Sequence, residues 1–356
     1  MLKRAAALLL VCAGVAGGVG CSNSSTSHYL YAALPGAGAG EIIEFREDPN
    51  SGALTQLANS PITAGPSVEA LALHPSKKFL YAANSGSGNV SLFTIATGGS
   101  LNEVTPRTNA GTAPTLLAMD PAGAFLYVAN SGSFDLTVFS IDSSTGALTQ
   151  VGNSFPIGMS ALSMQLSPSG TVLYLTGSAS TGVVQAFTVA QGTLTVVPGS
   201  PFTTGTSPSG LAIEPGGKFL YTANRIDNTI SEFGIQADGS LQELTGSPFG
   251  ESYTAPTALL IDNSGKFLYV ANQSSSNMVG YSIGSDGSLS LLASSPFGTG
   301  AQPSFIASDP SGKFIFVGNQ TSAAVQSFQL DTSSGALTSV GTYSIGSAAT
   351  SIVVSP

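Results

Sequence analysis

Apolar and polar positions along this chain alternate; they do not recur every three or four residues. Leu136-Thr137-Val138-Phe139-Ser140-Ile141 carries the period of two that marks a strand with one buried face. No stretch shows the period of an amphipathic helix. Around that pattern one phrase returns. Lys-Phe-Leu-Tyr-Ala-Ala-Asn ends at Asn84, Ala-Phe-Leu-Tyr-Val-Ala-Asn at Asn130 and Lys-Phe-Leu-Tyr-Thr-Ala-Asn at Asn224. Lys-Phe-Leu-Tyr-Val-Ala-Asn ends at Asn272 and Lys-Phe-Ile-Phe-Val-Gly-Asn at Asn319. Weaker copies begin at Tyr29 and Val172. The aromatic landmarks Tyr31, Tyr81, Tyr127, Tyr174, Tyr221, Tyr269 and Phe316 fall at intervals of 50, 46, 47, 47, 48 and 47 residues.

Two further ladders keep that spacing. Phe45, Phe93, Phe139, Phe187, Phe233, Tyr281 and Phe328 form one; Leu54, Leu101, Leu148, Leu194, Leu241, Leu289 and Leu337, each two residues after a glycine, form the other. Each repeat reads as four strands. The first is typified by Leu116-Leu117-Ala118-Met119 and closes on a Pro-x-Gly turn, and the second is the Phe-Leu-Tyr phrase. The third alternates, and a tight Asp-Gly or Thr-Gly turn leads to a fourth such as Ala147–Val151. A loop, often Ser-Pro-Phe-x-x-Gly, then joins the next unit. Four-stranded units of this length predict an all-β fold, a β-propeller with four antiparallel strands per blade, and seven ladder members predict seven blades. The segment from Tyr29 supplies strands two to four of a blade, while Thr350–Pro356 reads as a lone first strand. Pairing them closes the ring within one blade and removes an open edge.

Composition agrees and narrows the function classes. Charged residues make up 8% of the 356 residues, against ~25% in an ordinary domain, and glycine numbers 43. Hydrophobic content of 42% supports a sizeable core and excludes disorder. Ten basic against 19 acidic residues, a net charge of −9, excludes a nucleic-acid binder with a basic footprint. The two cysteines are Cys12 and Cys21, so residues 28–356, the single propeller domain, have neither a disulfide nor a thiol nucleophile. No residue spacing suggests a metal site or a cofactor site.

Met1-Leu2-Lys3-Arg4 followed by the apolar run Ala5–Val19 has the shape of a secretory signal peptide, residues 1–20, and is short for a membrane span. Gly18-Val19-Gly20-Cys21 resembles a bacterial lipoprotein lipobox, with Gly18 in place of the usual leucine. That resemblance implies lipidation at Cys21, a tether over residues 21–27, and a cell-envelope protein that meets the membrane through its lipid alone.

The Tyr-Val-Ala-Asn phrase with Pro-x-Gly-Lys-Phe before it resembles the lactonase-type seven-bladed propellers and their Tyr-Val-Thr-Asn repeat relatives over residues 28–356. Tryptophan is absent, which disfavours a WD40 propeller. The resemblance implies a site at the channel mouth, where lactonases acting on 6-phosphogluconolactone or muconate lactones use His, Arg and Glu, and a common family phrase is Pro-Arg-His at the start of a first strand. Here the Arg and His positions hold Glu69 and Ala70, Thr115 and Leu116, Leu162 and Ser163, and Ser209 and Gly210. The other blades hold Thr257 and Ala258, Ser304 and Phe305, and Thr350 and Ser351. No blade has the pair. The histidines are His28, at the tether, and His74, at the far end of its strand, so acid–base chemistry would fall to a carboxylate with a shifted pKa.

Lys77, Lys78, Lys218, Lys266 and Lys313 occupy turns on the face opposite the mouth. On the mouth face, the ligand-binding candidates are Glu69, Arg107, Asp135, Arg225, Asp227, Glu251 and Tyr253. The expectation is a monomeric propeller that binds a protein, a glycan or a small ligand. An extracytoplasmic lactonase using channel-mouth carboxylates and arginines is the alternative, and a structural surface repeat a third reading.

Overall fold

The computed structural model describes residues 27–36, 38–178, 181–250 and 253–355. The signal segment, Cys21 and Glu251 lie outside them. Among the described residues every regular element is a strand, and the strands form seven antiparallel sheets. In blade 1 the strands from the axis outward are Val68–Leu73, Phe79–Asn84, Asn89–Ile95 and Leu101–Asn109. The inner strands of blades 2 to 6 are Pro114–Met119, Ala161–Leu166, Pro208–Ile213, Pro256–Ile261 and Pro303–Ser308. Blade 7 is completed from both ends of the chain: Ser351–Val354 pairs with His28–Leu34, Tyr31 opposite Val353. Each inner strand packs beside the next, and Ser351–Val354 touches both Pro303–Ser308 and Val68–Leu73, so the ring is closed.

The alternation seen along each strand explains the packing. Successive side chains point to opposite faces of a sheet, and in a propeller both faces of a blade are covered by neighbours. Leu80 and Ala82 pack against blade 7 beside Tyr31 and Ile42, whereas Tyr81 and Phe79 pack against blade 2 beside Leu126 and Val128. Seven apolar clusters result, one in each gap between blades. The inner strands surround the axis, and their side chains line a cavity there.

The tyrosine ladder does more than fill space. Tyr81 Oη donates to the carbonyl of Gly146 in the next blade (2.8 Å), and Tyr31, Tyr174, Tyr221 and Tyr269 bond Gly99, Gly239, Gly287 and Gly335 at 2.7–2.9 Å. These glycines close the turn before each fourth strand with positive φ, and an added Cβ on Gly146 or Gly335 would press on the preceding blade's Phe79 or Phe267. The strand-ending asparagines are buried and structural: Asn84 Nδ2 donates to Asn89 Oδ1 and Ser91 Oγ, and Asn224 Nδ2 to Thr229 Oγ1 and Ser231 Oγ.

The Ser-Pro-Phe loops differ from expectation. Phe202–Thr203, Phe249–Gly250 and Phe297–Gly298 are two-residue strands that pair with the start of the third strand. The third strand outlasts the three- or four-residue fourth strand in these blades, and the pairing satisfies its remaining backbone groups. In blade 1 the fourth strand and this extra strand are one continuous element, Leu101–Asn109, with Asn109 opposite Asn89.

Candidate functional site

The channel mouth is built from the starts of the inner strands and the residues that follow each second strand. Each inner strand of blades 1 to 6 has a register shift near its start, as between Pro208 and Gly210, so the intervening side chain turns out of the ladder. This is the position of the family arginine. Here Ser209 Oγ donates to the Pro256 carbonyl of the next blade (3.0 Å), Thr257 Oγ1 to that of Pro303 (3.2 Å) and Thr350 Oγ1 to that of Val68 (2.7 Å). These hydroxyls stitch blade to blade.

A cavity of about 360 Å³ opens at this end. Inner-strand residues of blades 2 to 6, among them Ser163, Thr257 and Phe305, form its wall, and Arg225, Gln273 and Gln320 stand over it. Arg225 Nη2 donates to Gln273 Oε1 (2.7 Å), and Gln273 Nε2 donates to Gln320 Oε1 (3.0 Å). The three occupy one structural position, directly after the strand-ending Asn224, Asn272 and Asn319. They form a polar arc over three adjacent blades. Gln273 and Gln320 were not among the candidates, although their place after each asparagine is readable in the sequence.

The candidates do not converge. Of the described candidates, Arg225 alone lines the cavity. Glu69 is on the inner strand of blade 1, half-buried, and accepts a hydrogen bond from Ser85 Oγ (3.2 Å); burial raises its carboxyl above the usual range, and Ser85 partly offsets this. Arg107 is away from the mouth: it lies on the outermost strand of blade 1 in a bidentate pair with Glu103 (2.6 and 3.1 Å). Asp135 borders a groove between blades 1 and 2 and accepts from Asn130 Nδ2 (2.7 Å). Asp227 accepts from the Thr206 amide (2.6 Å) in an exposed turn. Tyr253 packs half-buried against the cluster between blades 4 and 5.

Neither histidine is at the mouth. His74 Nε2 lies 2.9 Å from the Gly123 carbonyl, and His28 is on the opposite face. No spacing in the sequence pointed to a metal, yet the fold gathers His28, Glu47 and Asp309 there with ligand atoms within 4.8 Å of one another.

Comparison with known proteins agrees with the geometry. The family model described as lactonase, 7-bladed beta-propeller, matches residues 39–165, 163–296 and 254–354. A candidate 6-phosphogluconolactonase from Bacteroides fragilis is 20% identical, with a TM-score of 0.81 over 94% of this chain and 99% of that one. The periplasmic gluconolactonase of Pseudomonas aeruginosa is 19% identical, with a TM-score of 0.78 over 93% of this chain and 99% of that one. A search of curated proteins finds no match.

Proposed function

Because the chain belongs to the family of seven-bladed β-propeller lactonases, we propose that its channel mouth binds a small polyhydroxylated ligand of the sugar-lactone or aldonate class, in an exported, lipid-anchored protein. The observation that carries this reading is the Arg225–Gln273–Gln320 arc over the cavity. One guanidinium and two carboxamides match a ligand rich in hydroxyl and carbonyl oxygens and bearing at most one negative charge. The mouth offers no second arginine or lysine among the described lining residues, which disfavours a phosphorylated sugar. Binding without turnover is supported by the missing Arg-His pair and by Arg225 being the one titratable side chain among the described lining residues. Export rests on the leader, lipidation on Cys21, and a periplasmic neighbour of the same fold fits that compartment.

A second reading is favoured by Glu69. Its burial-raised carboxyl near the inner-strand start is a candidate general base for water, which would make the protein a lactonase.

Calorimetry of the purified protein with gluconate and glucono-lactone, alongside a hydrolysis assay, separates the two. The first reading predicts binding weakened about tenfold or more by Arg225→Ala or Gln273→Ala, unchanged by Arg107→Ala, and no turnover above the uncatalysed rate. Catalysed hydrolysis lost in Glu69→Gln would replace it with the second, and Cys21→Ser should move the protein from membrane to soluble fractions.

A further inference from the structure

At the end of the ring opposite the mouth, the seam between the chain's two ends gathers three buried donors. His28 opens the second strand of blade 7, Glu47 closes its third strand, and Asp309 follows the inner strand of blade 6. His28 Nδ1 lies 3.4 Å from Glu47 Oε2 and 3.7 Å from Asp309 Oδ2. Residue exposures are 7% for His28, 1% for Glu47 and 0% for Asp309, so water does not solvate the group. Yet among the described residues His28 Nδ1 and both carboxylate oxygens of Glu47 have no hydrogen-bond partner. Buried polar atoms are almost always satisfied, and three orphans in one buried cluster are an imbalance that a bound cation removes.

We propose that His28, Glu47 and Asp309 form a binding site for a divalent transition-metal ion of the zinc type. Donors ~2.0–2.1 Å from a tetrahedral ion stand about 3.3–3.4 Å apart, close to the 3.4 and 3.7 Å from His28 Nδ1 to the two carboxylates, and all three ligand atoms lie within 4.8 Å of one another. One imidazole and two carboxylates suit zinc or cobalt; calcium and magnesium favour all-oxygen sites. Two carboxylates with a neutral imidazole also balance a double positive charge. Asp309 is fixed in place, as Asp262 is in the equivalent turn of blade 5: its Oδ1 accepts from the Phe314 amide (2.7 Å), and its Oδ2 from the amide (2.9 Å) and hydroxyl of Ser311. Such support fixes a ligand's orientation. Lys77 acts electrostatically on His28, but among the described residues it forms no ion pair with Glu47 or Asp309. Bound there, the ion joins blade 6 to two strands of blade 7 beside the closure, where the Ser355 amide donates to the Tyr29 carbonyl (2.7 Å).

The test is to strip the purified protein with a chelator and add back zinc or cobalt. The expected result is one equivalent bound, a cobalt spectrum of low coordination number, and a Tm raised by several degrees. Glu47→Gln, which keeps shape and removes charge, should stay folded and lose at least tenfold in zinc affinity. His28→Ala should lose the equivalent, while His74→Gln should keep it, separating this site from the other histidine. Absence of stoichiometric uptake in the stripped protein, or uptake unchanged in both Glu47→Gln and His28→Ala, would overturn the proposal.

Discussion

Residues at equivalent positions differ by single polar atoms, and those atoms decide their energetics. Tyr221 Oη reaches the Gly287 carbonyl in the next blade, whereas Tyr127 Oη, equally buried, has no partner among the described residues. Removing the hydroxyl from Tyr221 strands a buried carbonyl and should cost about 1–2 kcal/mol; removing it from Tyr127 strands nothing and should be neutral or slightly stabilising. Calorimetric melting of Tyr221→Phe and Tyr127→Phe tests this, and equal losses in both would refute it. Phe316 lacks the hydroxyl altogether, and its cross-strand partner Ser327 bonds Gly52 instead (2.8 Å). Glu232 is the matching case for charge. Burial pushes its carboxyl up to about 7 from an ordinary 4.5, against the bond from the Leu289 amide. A folded pKa above the unfolded one contributes stability in full below about 4.5, lost as the pH rises through 7. Melting temperature should therefore decline across that window, and Glu232→Gln should flatten the decline. Glu44, buried and raised in the same direction, keeps part of the slope. Parallel pH profiles for wild type and variant would show that Glu232 carries none of it.

At the scale of strands, what was legible depended on whether the cause was local. The three ladders located the second, third and fourth strands because alternation and turn glycines are written within each repeat. The start of the first strand was also placed, which let the family's Arg and His positions be checked and found to hold neither residue in any blade. Arg107 went astray because Thr105-Pro106 resembles a loop, while the strand continues through it to pair with Asn89 and Val90. Its proximity to Glu103 on the same strand was readable, but its distance from the axis depends on blade width. Gln273 and Gln320 were missed for a different reason. Each is an unremarkable loop residue alone, and only the ring brings three such positions of successive blades together. His28, Glu47 and Asp309 are further still from local reading, since their meeting requires the two ends of the chain to have joined.

That joining is the property of the whole molecule on which both sites depend, because the mouth and the seam are surfaces of a closed ring. Ser351–Val354 is bonded in blade 7 and also holds its neighbour: Ser351 Oγ accepts from the Leu71 amide of blade 1 (3.1 Å), and Thr350 Oγ1 bonds the Val68 carbonyl there (2.7 Å). Ile352 is buried among Leu30, Ala32 and Phe316, between blades 6 and 7. Removing residues 350–356 would expose the edge of His28–Leu34 and uncover these side chains. At about 1.5–3 kcal/mol for each large apolar side chain returned to water, the loss is on the order of 5 kcal/mol, or a fall in Tm of roughly 10 °C. An uncovered edge also invites pairing between copies, so the truncated protein should associate or aggregate where the intact chain remains discrete. A synthetic peptide of residues 350–356 added to the truncated chain should restore part of both losses, because it supplies the missing inner strand without a covalent link. A truncated chain that melts with the intact one and stays equally dispersed would mean that blade 7 holds without its inner strand, and that the ring is stable open.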